Sequence, residues 1–194
     1  CQHNEHIGIL LVDVNRFRSI NERFGHQFGD QLLVTWATRL RRCMQPSDTL
    51  ARIGVDDFAI VRGGSPGDGA MMALGREVEE LARHPFKLPR ETINLSATVG
   101  IALSDEGETE AWALLRDGQT ALFQAKSGNR SNNRVLIFNR TMRTEVLGSH
   151  RLMNDLPQAI GRDELFLQYQ PVVDIAEARV VGLEALVRWS HPTL

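Results

Sequence analysis

The stretch Arg52-Ile53-Gly54-Val55-Asp56-Asp57-Phe58 carries two adjacent carboxylates between two apolar segments. The flanking residues, Leu50 to Ile53 and Phe58 to Val61, have the composition of strands, and the pattern predicts a hairpin. A tight hairpin turn favours positive φ at its central residues, which glycine adopts readily and β-branched valine resists. We therefore expect Val55 to shift or strain the turn that presents the two carboxylates.

Before this hairpin, the sequence alternates between strand and helix patterns. Ile7 to Val12 is a short apolar run, and helical spacing over Phe17, Ile20 and Phe24 ends at Gly25-His26. A second helix is predicted from Asp30, with an apolar stripe formed by Leu32, Leu33, Trp36, Ala37 and Leu40. The cluster of Arg39, Arg41 and Arg42 lies mostly opposite this stripe and indicates either a solvated face or an anion-binding one.

After the hairpin, a loop over Gly63 to Gly69 precedes four predicted elements. They are a helix over Ala70 to Ala82, a strand over Asn94 to Leu103, a helix over Glu110 to Lys126 and a strand over Val135 to Phe138. This order predicts an α/β (α+β) domain with a central, mostly antiparallel sheet flanked by helices.

Composition narrows the class of protein. The 194 residues, of which 42% are hydrophobic, can bury one good core and part of a second. A net charge of -2 gives no basic field for a nucleic acid duplex. No apolar run reaches the roughly 18 to 20 residues that cross a bilayer, so no membrane partner is expected for this chain. Cys1 and Cys43 are too few for a disulfide framework and fit a cytoplasmic location.

Two carboxylates are candidates for metal binding. Asp13 follows the first predicted strand and Asp56 lies in the hairpin turn, so neighbouring strands could bring them together. Mg²⁺ (or Mn²⁺) is typically held by one or two carboxylates together with substrate phosphates, so such a pair suits a nucleoside triphosphate. For each aspartate alone, a turn or a helix cap is the competing interpretation.

Several motifs in order resemble the GGDEF family of bacterial diguanylate cyclases. Asp13 to Arg18 resembles D-x-D-x-F-K, and Asn21 with Gly25-His26-x-x-Gly29-Asp30 resembles N-D-x-x-G-H-x-x-G-D. Gly54-Val55-Asp56-Asp57-Phe58 resembles the signature itself, and Ala121 to Lys126 followed by Arg130 resembles A-L-Y-x-A-K and its trailing arginine. The resemblance covers about two-thirds of the chain, residues 1–139, and implies the nucleotidyl-cyclase-like fold with its N-terminal helix missing here.

The resemblance also implies roles for individual residues. Asp13, the backbone carbonyl of Val14 and Asp56 would hold Mg²⁺, and Asp57 takes the fourth, acidic place of the signature. Asn21 and Asp30 would hydrogen-bond guanine, while Lys126 and Arg130 would reach the phosphates of GTP. In active relatives, two GTP-loaded subunits meet as a homodimer and produce cyclic di-GMP.

The sequence departs from the family pattern at several positions. Val55 replaces the second glycine of the signature, Asn15 replaces an aspartate near the metal site, and Gln119 replaces the aspartate before A-L-Y. The inhibitory product site of the family reads R-x-x-D, whereas this chain has Gln45-Pro46-Ser47-Asp48. Without the arginine, feedback binding of cyclic di-GMP there is not expected.

The end of the chain resembles the opening of an EAL domain, the phosphodiesterase that cleaves cyclic di-GMP. A connecting helix is predicted over residues 140–162, with Pro157 expected to end, kink or restart it, and two strands follow within residues 163–194. Glu184 matches a metal ligand, and Gln170 and Arg188 match ligand-contacting positions. The other ligands of such a site would lie beyond Leu194, so cyclic di-GMP is expected as a partner only through a full EAL domain.

Three functions are compatible with these residues. The first is a degenerate GGDEF domain that binds GTP with Mg²⁺ and regulates an attached EAL phosphodiesterase. The second is an active diguanylate cyclase, favoured by the intact metal-binding, guanine-binding and phosphate-binding positions. The third is a structural spacer with an empty pocket, against which the retention of those residues argues.

Overall fold

The computed structural model describes residues 6–89, 91–104, 110–127 and 134–192. The chain divides into two units, residues 1–144 and residues 145–194, and the division falls within a helix. In chain order the elements are β1 (Gly8–Val14), α1 (Phe17–Phe24), α2 (His26–Leu40), β2 (Thr49–Arg52), β3 (Asp57–Arg62), α3 (Asp68–Arg83), β4 (Phe86–Lys87), β5 (Thr92–Ile93), β6 (Ala97–Leu103), α4 (Ala111–Ser127), β7 (Val135–Ile137), α5 (Arg140–Ala159), β8 (Leu165–Asp174) and β9 (Arg179–Trp189).

Five strands of the first unit form one sheet in the order β2-β3-β1-β6-β7. The first three pairings are antiparallel, and β6 pairs with β7 in parallel. A parallel pair needs a crossover connection, which α4 provides between β6 and β7. The prediction of a mostly antiparallel central sheet flanked by helices is therefore confirmed.

The alternation of side chains along the central strand β1 separates two apolar layers. Leu10 and Val12 belong to the main core, which contains Trp36 of α2 and Met71 of α3. Ile9 and Leu11 point the other way, into a smaller cluster that includes Leu114 of α4. Because successive strand residues face opposite sides, Asp13 falls on the same side of the sheet as Ile9 and Leu11. The end of β1 thus presents a carboxylate towards the side covered by α4.

Several predicted boundaries differ from the structure. Helix α2 begins at His26 rather than Asp30, because Gly25 (φ 86°) ends α1 and its carbonyl at once accepts hydrogen bonds from the backbone N–H groups of Phe28 and Gly29. The strand expected from Asn94 begins at Ala97.

Arg39 is not part of a solvated face. Its guanidinium donates to the carbonyls of Leu81, His84 and Pro85, at 3.2, 2.7 and 2.6 Å, and lies 3.6 Å from the centroid of the Phe86 ring. The guanidinium therefore satisfies carbonyls at the C-terminal end of α3, which is a structural role. Arg41 and Arg42 are exposed, as the sequence predicted.

The second unit contains most of α5 and the antiparallel hairpin β8–β9. Pro157 does not end α5, which continues to Ala159. The indole N–H of Trp189 donates to Glu164 Oε2 at 2.9 Å, and Arg188 Nε donates to Gln168 Oε1 at 2.9 Å. Within the described ranges, none of the helices has both the length and the apolar character needed to cross a bilayer.

Candidate metal and nucleotide site

Three carboxylates converge where β1 ends and β3 begins. Asp13 lies directly opposite Asp57 in the antiparallel register, so the two side chains share the α4 side of the sheet. Asp56 precedes β3, and its carbonyl accepts a hydrogen bond from the backbone N–H of Val14 at 3.3 Å. The candidate ligand atoms of Asp13, Asp56 and Asp57 all lie within 4.8 Å of one another. Sequence reasoning paired Asp13 with Asp56, and the strand register adds Asp57.

The electrostatics of this cluster match those of a cation site. Burial and the negative charges of Asp13 and Asp56 raise the pKa of Asp57. Burial and the charge of Asp13 raise the pKa of Asp56. Lys126, in the last turn of α4, places its Nζ 2.5 Å from Asp13 Oδ2. The cluster gathers more negative charge than this ammonium neutralises.

The residues present fit a hard divalent cation. Carboxylate oxygens are the ligands that Mg²⁺ prefers in proteins, and a cation among Asp13, Asp56 and Asp57 would relieve their mutual repulsion. Val14, whose carbonyl was also expected as a ligand, adjoins Asp13 at the end of the strand and is buried. Asp13 itself is only 8% exposed, so it has a fixed position at the floor of the site.

The signature loop does not carry the strain expected at Val55. Among the described residues, positive φ at non-glycine positions occurs at Arg16, Ser65, Asp163 and Ala178, and not at Val55. The loop over residues 54–56 is longer than a two-residue turn, since Ile53 N–H donates to the carbonyl of Asp57 at 3.0 Å. None of residues 54–56 has positive φ, so the chain reverses here without a left-handed residue and the argument from φ was wrong.

Other interactions hold this loop in place. Arg52 donates from Nε to the carbonyl of Gly54 at 3.1 Å and from Nη2 to that of Val55 at 2.6 Å. A Cβ at Gly54 would lie 2.6 Å from Asp57 Oδ2, so the first glycine is needed for close approach of that carboxylate. The side chain of Val55 is 67% exposed.

Val55 and Asp56 also line a pocket of about 440 Å³ against α1 and the start of α2. The other lining residues are Phe17, Arg18, Asn21, Glu22 and His26. Asn21 Oδ1 is buried and has no hydrogen-bond partner among the described residues. A Cβ at Gly29 would lie 1.9 Å from this oxygen, so glycine at position 29 is what lets the amide sit there. Asn21 lines the pocket, and its buried Oδ1 is an unused acceptor that a ligand N–H could satisfy if the amide turns towards the pocket.

Two residues that the sequence predicted at the nucleotide site, Asp30 and Arg130, are not found there among the described residues. Asp30 lies on α2, is exposed and does not line the 440 Å³ pocket. Arg130 lies outside the described residues. Phe17, Arg18, Glu22 and His26 were not assigned to the site from the sequence, although all lie within the quoted motifs.

The positions that depart from the family pattern have local partners. Asn15 donates to Ser96 Oγ at 3.1 Å and accepts from Thr98 Oγ1 at 3.0 Å, so its amide joins β1 to β6. Arg62 holds the fully buried carboxylate of Asp48 through both Nε and Nη2, with a shortest separation of 2.5 Å. Asp48, the acidic residue retained from the expected product site, is therefore already paired with Arg62.

In the second unit, the three residues expected from the phosphodiesterase resemblance share one face of the hairpin. Gln170 lies directly opposite Glu184, and Arg188 lies opposite Phe166, two pairs further along the same face. All three side chains are exposed. Their common face is a geometric observation and does not by itself identify a ligand.

Two family models match the chain. The model described as "Diguanylate cyclase, GGDEF domain" matches residues 1–132, and the model described as "EAL domain" matches residues 153–194. Among similar proteins, the bifunctional diguanylate cyclase/cyclic di-GMP phosphodiesterase MucR of Pseudomonas aeruginosa is 33% identical over 95% of this chain and 26% of its own length. The cyclic di-GMP phosphodiesterase PdeR of Escherichia coli is 33% identical over 97% of this chain and 28% of its own length. The chain spans about a quarter of these relatives.

Solved structures agree with this assignment. The GGDEF domain of TpbB (YfiN) from Pseudomonas aeruginosa superposes with a TM-score of 0.69 and 29% identity, covering 75% of this chain and 84% of that one. An EAL/GGDEF domain protein from M. capsulatus superposes with a TM-score of 0.63 and 34% identity, covering 69% of this chain and 85% of that one.

Proposed function

Because this chain belongs to the GGDEF domain family, we propose that its first unit binds GTP with Mg²⁺ and regulates an EAL phosphodiesterase in the whole protein. The family match over residues 1–132 and the EAL match over residues 153–194 support this order of domains. The names of MucR and PdeR both refer to cyclic di-GMP, which supports the signalling context.

The observation that carries the proposal is that Asn21 lines the 440 Å³ pocket while its Oδ1 has no hydrogen-bond partner among the described residues. An amide offers an acceptor and a donor side by side, and guanine offers N–H donors beside a carbonyl acceptor. Adenine has no carbonyl acceptor beside N–H donors at the corresponding ring positions. Since a site built to pair polar edges rejects an analogue that leaves them unpaired, GTP should bind better than ATP.

The carboxylate cluster supports the phosphate end of the same proposal. Asp13, Asp56 and Asp57 would hold Mg²⁺, which would neutralise and orient the phosphates. Lys126, now on Asp13, would donate to a phosphate oxygen when nucleotide is present. Arg18, which lines the pocket and pairs with Glu22 at 2.9 Å, is a further cation beside the nucleotide.

An active diguanylate cyclase is the second candidate, and the unstrained loop favours it. In that reaction the 3′-hydroxyl of one GTP attacks the α-phosphate of another across a homodimer, and pyrophosphate leaves. Val55 then matters only through the space that its exposed side chain takes beside the pocket.

Calorimetry and a product assay test the two candidates. We expect GTP with Mg²⁺ to bind at least about tenfold more tightly than ATP with Mg²⁺, a difference of about 1.4 kcal/mol. Asn21→Ala should remove that preference while leaving the melting temperature nearly unchanged. Equal affinities for GTP and ATP in the unaltered chain would contradict the proposal, and robust formation of cyclic di-GMP would favour the cyclase over the regulatory domain.

A further inference from the structure

Helix α1 separates two clefts. The residues of α1 that line the candidate nucleotide pocket are Phe17, Arg18, Asn21 and Glu22. A second cleft, of about 750 Å³, is lined from the same helix by Ser19, Ile20, Arg23 and Phe24. At 100° per residue, the mean directions of these two sets differ by roughly 180°, so they occupy opposite faces. The second cleft is therefore a separate space with its own lining.

The charge of the second cleft is positive. Three arginines line it, namely Arg16 before α1, Arg23 on α1 and Arg134 before β7, and Glu91 is the one carboxylate among the described lining residues. Among the described residues, no aspartate or glutamate forms an ion pair with any of these three arginines. Three guanidiniums around one cleft favour an anion, and their planar donors suit phosphate in particular.

A hydroxyl at the base of the cleft also points to an acceptor-rich ligand. Ser96 Oγ accepts one hydrogen bond from Asn15 Nδ2 at 3.1 Å and one from Arg134 Nη1 at 3.0 Å. With both acceptor positions used, the Ser96 hydroxyl can only donate its proton, and no described residue receives it. Ser96 therefore adds a neutral donor to the three guanidiniums.

The backbone at the rim of this cleft is also unusual. Arg16 has φ 59° and ψ 25°, a left-handed conformation that costs a non-glycine residue roughly 1 kcal/mol or more. Ile20, Phe24 and Ile93 contribute apolar side chains to the same cleft, and the Arg23 guanidinium lies 4.9 Å from the centroid of the Phe24 ring. A cleft of this volume with an apolar wall and a few converging donors has the size and make-up of a small-molecule site.

We propose that the 750 Å³ cleft binds an organic phosphate of about mononucleotide size. The phosphate lies among Arg16, Arg23 and Arg134 with the Ser96 hydroxyl as a further donor, and the organic part lies against Ile20 and Phe24. This site is distinct from the GTP pocket, because α1 stands between the two and each takes a different face of it.

Binding of adenosine 5′-monophosphate (AMP) to the full chain, without divalent metal, tests the proposal. We expect saturable binding in calorimetry that Arg23→Ala weakens at least about fivefold, because a charge-assisted contact to phosphate is lost. Arg18→Ala is the matched control, since it removes another exposed arginine from the opposite face of the same helix and should leave AMP binding unchanged. Arg16→Asn, which keeps a residue tolerant of positive φ while removing the charge, should weaken AMP binding like Arg23→Ala.

Two results would overturn the proposal. One is the absence of saturable AMP binding at millimolar concentrations, with the chain shown to be folded by its melting transition. The other is a loss of AMP affinity in Arg18→Ala or Asn21→Ala as large as in Arg23→Ala, which would assign the binding to the nucleotide pocket. The first result does not bear on the preference for GTP over ATP, which is measured with Mg²⁺ at the other face of α1, whereas the second would show that the nucleotide pocket also accepts adenine.

Discussion

Lys126→Met should change metal binding and nucleotide binding in opposite directions. In the structure, the Lys126 ammonium lies 2.5 Å from Asp13 Oδ2, so a cation that takes this oxygen must displace it. A hydrogen bond between charged groups is worth about 1.5–3 kcal/mol when shielded, and the 42% exposure of the lysine side chain reduces this to about 1 kcal/mol. Removing the ammonium should therefore tighten Mn²⁺ binding about fivefold in the absence of nucleotide.

The same substitution should weaken GTP and ATP alike, because the ammonium would contact phosphate and not the base. Free Mn²⁺ can be followed by electron paramagnetic resonance, and nucleotide affinity by calorimetry. Lys87→Met is the matched control, since Lys87 is the other lysine of the chain and is exposed on β4. Unchanged or weaker Mn²⁺ binding in Lys126→Met would refute the view that the lysine competes with the metal for Asp13.

Three further predictions concern other parts of the chain. Val55→Gly should raise any cyclic di-GMP formation by freeing space beside the pocket, and it should leave the melting temperature within a few degrees, since φ at this residue is already unstrained. Arg62→Ala should lower the free energy of unfolding in urea by about 3–5 kcal/mol because it leaves the buried Asp48 carboxylate unpaired, whereas Arg18→Ala, from the exposed pair with Glu22, should cost under about 1 kcal/mol. Arg62 holds the pKa of Asp48 below its usual value, so this stabilisation is present above about pH 4 and is lost as the pH falls through the lowered pKa. A difference in the free energy of unfolding between Asp48→Asn and the unaltered chain that stays constant from pH 7 to pH 2 would contradict this. Glu184→Ala should leave GTP affinity unchanged in calorimetry, and a loss comparable to that of Asn21→Ala would show that the second unit contributes to the nucleotide site.

The element order and the core could be predicted from the sequence because they follow local periodicity. The helical stripe that contains Leu32, Trp36 and Leu40 is buried as expected, and the apolar run from Ile7 gives the central strand. What periodicity cannot give is the register between strands distant in sequence. The position of Asp57 opposite Asp13 depends on that register, so its place in the carboxylate cluster emerged only from the structure.

The wrong expectation of a strained turn at Val55 has a similar origin. Whether a turn needs positive φ depends on the number of residues between the last paired strand positions, and the sequence alone did not fix where β2 stops pairing. The role of Arg39 was missed because its carbonyl partners lie more than 40 positions along the chain, at the end of α3. Arg39, Arg41 and Arg42 are the same residue type, but of the three only Arg39 contacts the Phe86 ring and the carbonyls at the end of α3.

Because Asp13 and Asp57 lie directly opposite each other, metal affinity depends on the register between β1 and β3. Displacing β3 by one residue along β1 would turn Asp57 to the other side of the sheet and bring an apolar neighbour, Phe58, to the side that now holds the carboxylates. The register between β1 and β3 is therefore as important to the site as the identities of Gly54 and Asp56 in the loop before β3. A one-residue change in this register would therefore remove a carboxylate from the candidate cation site while leaving the order of the strands unchanged.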